Sequence, residues 1–83
     1  MVNENDCVAI FNSIHRVMKA EKVLKLQGAR VQLIPVPRQL TSDCGLAIRC
    51  AGEDRLRVTE LLAAEKLANA QWFSFEHGAY KEV

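Results

Sequence analysis

The segment Pro35-Val36-Pro37-Arg38-Gln39-Leu40-Thr41-Ser42-Asp43-Cys44-Gly45-Leu46-Ala47-Ile48-Arg49 closes one strand and opens the next, and the rest of the chain can be placed around it. Before it, residues 29–36 carry Val31, Leu33 and Ile34 and read as a strand. Pro35 has no N–H to give to a ladder, which assigns that strand to a sheet edge. After it, residues 45–50 read as a further strand, with Leu46, Ile48 and Cys50 on one side and Ala47 and Arg49 on the other. Ala47 is small enough to suit a face packed closely against a helix. Between the two strands the polar run Thr41, Ser42 and Asp43 delivers Cys44 to the rim of the fold, beside Gly45. A thiol there is open to another molecule, whereas a thiol inside a strand is not.

Working outward toward the N-terminus, Val8-Ala9-Ile10-Phe11 is a continuous apolar run, as expected for a strand covered on both sides, with Cys7 at its start in the core. Ser13 is placed to cap a helix over residues 14–27 that Gly28 stops. Ile14, Val17, Met18, Ala20, Val23 and Leu24 supply its buried side, and Arg16, Lys19, Lys22 and Lys25 a solvated one. Toward the C-terminus, Gly52, Glu53 and Asp54 open a second helix running to about Lys66, the acids lying at the positive end of its macrodipole. Val58, Leu61 and Leu62 mark its buried stripe. Leu56, Ala63 and Leu67 fall on a different side, so either the stripe is wide or that side covers a loop. Trp72-Phe73-Ser74-Phe75 and the residues to Tyr80 read as one last strand with a bulge at Gly78. The order strand, helix, strand, strand, helix, strand predicts an α+β domain with the ferredoxin-like βαββαβ topology, a four-stranded antiparallel sheet with both helices on one face.

The 83 residues make one domain, 1–83, with a modest core. Eleven Lys and Arg against ten Asp and Glu leave a net charge of +1, no field to hold a phosphate backbone, so nucleic acid is not an expected partner. Single-stranded RNA on the sheet face would need aromatics on the two central strands, which offer only Phe11. No apolar run approaches the roughly 20 residues that span a bilayer. The first residues are acidic and polar, the opposite of a signal peptide, and the expected location is cytoplasmic. Three cysteines without a Cys-x-x-Cys pair predict free thiols rather than a disulfide framework. The spacings of Cys7, Cys44, Cys50, His15 and His77 are not those of a metal site, and no cofactor is implied.

In this topology the first two strands run the same way, so the turn after Phe11 and the connection after Val36 leave the same end of the sheet. Ser13, His15 and Cys44 are therefore expected on one rim. A thiol near the first helix's N-terminus and Arg38 would lie in positive potential that favours thiolate. His15 reads either as a charged neighbour of that thiolate or as a solvent-facing helix residue.

His15 with Lys19-Ala20-Glu21-Lys22, then Val31-Gln32-Leu33-Ile34-Pro35-Val36-Pro37-Arg38, then Ser42-Asp43-Cys44-Gly45-Leu46-Ala47-Ile48-Arg49 together resemble the small selenium or sulfur carrier-like family. The resemblance spans residues 8–49, and Pro-x-Pro-Arg followed by Ser-x-Cys-Gly is its most specific part. The aromatic stretch at residues 72–75 departs from the family pattern, which passes quickly from helix to a short final strand. The resemblance implies that Cys44 holds sulfur or selenium as a persulfide or perselenide, between a cysteine desulfurase-like donor and an acceptor protein. Arg38 and the helix N-terminus would stabilise the anion, Thr41 and Ser42 would donate hydrogen bonds, and Gly45 would leave room for a partner's loop. Such a carrier is a co-substrate rather than an enzyme. The alternative reading is a regulatory module of the same topology that binds a small metabolite or a protein, or pairs with a second copy through an edge strand.

Overall fold

In the computed structural model, which describes residues 2–40 and 45–83, the chain runs β1 (Asp6–Ile10), α1 (Ile14–Leu26), β2 (Val31–Pro35), β3 (Leu46–Ala51), α2 (Arg55–Ala64), β4 (Gln71–Glu76) and β5 (Ala79–Glu82). A single 3₁₀ turn, Gly52–Asp54, leads into α2. The strands form one antiparallel sheet in the order β2-β3-β1-β4-β5. The expected α+β class holds, and the expected four strands become five. Residues 71–82 are a hairpin, not one bulged strand: Glu76 pairs with Ala79, and His77 and Gly78 form its two-residue turn with φ of 54° and 76°. Two positive φ values suit the right-handed twist of the flanking strands. β4 is thereby an interior strand, and β5 takes the edge.

Every residue of β1 is buried, which is why its sequence shows no polar alternation. Its alternate residues belong to two different cores. Cys7 and Ala9, continued by Phe11 beyond the strand, face Val17, Ala20 and Leu24 of α1 and Val58 and Leu62 of α2, together with Ile48, Cys50 and Trp72. Both helices therefore lie on that face. Ile14 and Met18, expected on the buried side of α1, are exposed instead. Val8 and Ile10 point the other way and pack with Ile34 and Ala47, under a cover of Val2, Val36, Leu40, Phe73 and Tyr80. Ala47 consequently lies opposite the helices rather than against one. Here the small side chain sits beneath the connection that follows β2.

Both helices end the same way with different residues. At the end of α1, Ala29 N–H bonds Leu24 carbonyl at 2.9 Å and Gly28 N–H bonds Lys25 carbonyl at 3.1 Å, with Gly28 at φ 77°. At the end of α2, Leu67 N–H reaches Leu62 carbonyl at 2.8 Å and Lys66 N–H reaches Ala63 carbonyl at 3.1 Å, with Lys66 at φ 60°. This is the paired-bond terminus that normally selects glycine. In α2 the buried Leu67 accompanies it, packing into the helix-side core just past the helix end. The helix stops two residues before the expected Lys66, and Leu67 is core although it is not helical. Leu56 and Ala63 are exposed, so the buried stripe is narrow.

At the other end of α1, the Ser13 side chain accepts a hydrogen bond from the Arg16 N–H at 3.1 Å. Ser13→Ala is expected to lower stability by about 1 kcal/mol, read as a shift in the urea midpoint at unchanged slope.

Candidate functional site

The register places four chain segments at one rim. Ile10 pairs with both Ala47 and Gln71, and Pro35 pairs with Leu46. The ends of β1 and β2 and the starts of β3 and β4 therefore share an edge of the sheet, and α1 begins there at Ile14. The connection between β2 and β3 is closed at its base by the Val36 N–H bonded to the Gly45 carbonyl at 3.0 Å. Its first half turns back on itself, with the Leu40 N–H bonded to the Pro37 carbonyl at 3.0 Å. Arg38 rides on this turn and is exposed.

Gly45 is exposed and holds φ at 75°, a left-handed value that a residue with a Cβ adopts at a cost. A Cβ added there would meet no atom of the described residues within 4 Å, so the glycine answers to backbone conformation. Cys44, the expected carrying thiol, and Thr41 and Ser42, two of its expected supports, lie outside the described residues. His15 is exposed on the first turn of α1 and lines a shallow depression with Arg16, Lys19 and residues 65–67 beyond α2. Arg38 lines a separate groove with Ile34, Phe75 and Tyr80, the latter two on the hairpin. His15 and Arg38 are thus not brought into one depression.

The other two thiols have well-defined surroundings. Cys7 and Cys50 are cross-strand partners in the β1–β3 ladder, and Ser74 faces Cys7 from β4. Both thiols lie under the helices, at 3% and 1% exposure. Burial pushes the Cys7 thiol above its ordinary value, against the attraction of Arg55 and a hydrogen bond with Ser74. Burial also pushes Cys50 up to about 12, with smaller contributions in the same direction from Cys7 and the nearby Asp54 and Asp6. Neither thiol offers a thiolate near neutral pH, and neither can be approached without opening the core. Among the described residues no three His, Cys, Asp or Glu side chains form a group that could hold a metal ion, and no helix is long and apolar enough to cross a membrane.

One charged cluster is not foreseen from the sequence. Asp6, the first residue of β1, is buried, and its Oδ2 accepts from Arg49 Nε at 2.7 Å and from the Asn3 N–H at 2.8 Å. Arg49 Nη1 also donates to Gln32 Oε1 at 2.9 Å. The cluster ties β1, β3 and β2 together on the face opposite the helices. The signal that could have found it is Arg49, which alternation places on the side away from Ile48 and Cys50. Asp6 gives no such signal, because it follows a polar terminus.

A family model described as "Putative Se/S carrier protein-like" matches residues 6–74. No curated protein and no solved structure matches the chain.

Proposed function

Since the chain belongs to the Se/S carrier protein-like family, we propose that it holds one sulfur or selenium atom on Cys44 and hands it from a cysteine desulfurase-like donor to an acceptor protein that uses the element. The observation that supports this reading most is the state of the other two thiols. Cys7 and Cys50 are buried beneath both helices with their thiols held protonated. The burial of these two supports Cys44 as the cysteine for exchange.

The step requires little machinery. The Cys44 thiolate attacks the outer sulfur of the donor's cysteine persulfide, the donor S–S bond breaks, and the donor leaves as its own thiolate. The product is a persulfide on Cys44, with no net oxidation. Delivery repeats the same exchange on an acceptor nucleophile. Arg38, Thr41, Ser42 and the N-terminus of α1 support the anion, Gly45 keeps the approach open, and His15 is a further neighbour on the same rim. The protein acts as a co-substrate, not as an enzyme, and its free thiols suit the reducing cytoplasm.

Incubation with a cysteine desulfurase and either cysteine or selenocysteine, followed by intact and peptide mass spectrometry, tests this. The expected result is a gain of one sulfur or selenium atom confined to the Cys44 peptide and lost in Cys44→Ser. Loading on Cys7 or Cys50, or loading retained in Cys44→Ser, would remove Cys44 from the role.

A further inference from the structure

The face opposite the helices carries a groove of about 450 Å³. It is built by three segments distant in sequence: the N-terminal Val2, residues 34–39 at the end of β2, and the β4–β5 hairpin through Phe75 and Tyr80. Ile34, Pro37 and the two rings supply apolar surface. Phe75 and Tyr80 pack with centroids 4.8 Å apart and planes tilted by 52°, which stiffens that wall. Arg38 is the one cation among the described lining residues, and no carboxylate is among them. The guanidinium has no ion pair among the described residues.

We propose that this groove is a binding site for a small apolar carboxylate, with its body against Phe75, Tyr80 and Ile34 and its carboxylate on Arg38. The volume lies within the range of small-molecule pockets, whose usual form is an apolar lining with a few orienting polar groups. A guanidinium at the mouth of an apolar groove selects a planar anion, which it can bind through two parallel hydrogen bonds. Burial raises the Tyr80 phenol above its ordinary value. A cationic ligand would meet Arg38 with no acid among the described lining residues to offset it, and a strongly polar one would lose its water to apolar walls. The site is separate from the two buried thiols, and its occupancy does not require that Cys44 carry anything.

Phenylpropionate is a suitable probe, titrated into isotopically labelled protein while backbone amide NMR signals are followed. Saturable shifts are expected at Val2, Ile34, Arg38, Phe75 and Tyr80. Arg38→Gln, a change at an exposed residue, is expected to weaken binding about tenfold. The neutral isostere phenylpropanamide should bind wild type about as weakly as the acid binds Arg38→Gln. Lys22→Gln, on the exposed face of α1, should leave the affinity unchanged. Non-saturable shifts, shifts centred on α1, or equal affinities of wild type and Arg38→Gln would each overturn the proposal.

Discussion

Arg49→Leu is expected to destabilise the protein by about 3 kcal/mol, well beyond the loss expected at the Ser13 cap. Asp6 is 7% exposed on the central strand, and Arg49 is the only cation paired with it among the described residues. Leucine at position 49 would leave the carboxylate with the Asn3 N–H and no counter-charge. The cost comes from an uncompensated buried charge rather than from the intrinsic strength of the pair, because the pair's attraction is largely offset by desolvation of both ions. The double variant Asp6→Leu with Arg49→Leu is therefore expected to recover most of the loss. Urea unfolding of the two single variants and the double variant checks both statements. A mere few tenths of a kcal/mol lost in Arg49→Leu would mean that water reaches Asp6 freely.

Alkaline pH is expected to produce the second large effect. In the folded protein Cys50 stays protonated up to about 12, whereas in the unfolded chain it ionises at its ordinary value of 9.0. Because the folded value is the higher, the thiol's contribution is fully present below 9.0 and is lost as pH rises toward 12. Between about pH 8 and pH 10.5 the loss from Cys50 alone is about 2 kcal/mol. Cys7 shifts in the same direction and adds to it. Tyr80, raised from 10.0, contributes only at the top of this range. Denaturant titrations at the two pH values measure the slope, and Cys50→Ala should flatten it. An unchanged slope in Cys50→Ala would show that Cys50 is not the group responsible.

The parts of the fold legible in the sequence are those where one residue type carries a local physical demand. The β1 run has no polar alternation because both sides of the strand are covered. Ser13 and Gly28 mark the two ends of α1 through a hydroxyl acceptor and a left-handed glycine. Pro35 assigns β2 to an edge, where the sheet has it. The parts not legible are those where a usual signal is carried by an unusual residue. The hairpin turn has His77 where Asn or Asp is the common choice, so Gly78 alone suggests a bulge. The end of α2 has Lys66 in the left-handed position and is held there by the burial of Leu67, a tertiary effect with no local mark.

Alternation along β3 separates Ala47 from Ile48 correctly, but both faces of this sheet are apolar, and alternation does not say which one the helices cover. Asp6 is the same kind of case. A carboxylate beside a polar terminus looks solvated until β3 brings Arg49 across from it. At the candidate site, Arg38 and Gly45 are legible as parts of an exposed connection. The groove that Arg38 lines is not, because its far wall is a hairpin whose sequence reads as one strand.

The central claim is that one thiol of three is available for exchange, and iodoacetamide labelling of the folded protein near neutral pH, mapped by peptide, tests it most directly. The account predicts rapid labelling at Cys44, with Cys7 and Cys50 protected until denaturant is added. Labelling of Cys7 or Cys50 at the rate of Cys44 in the folded protein would contradict it.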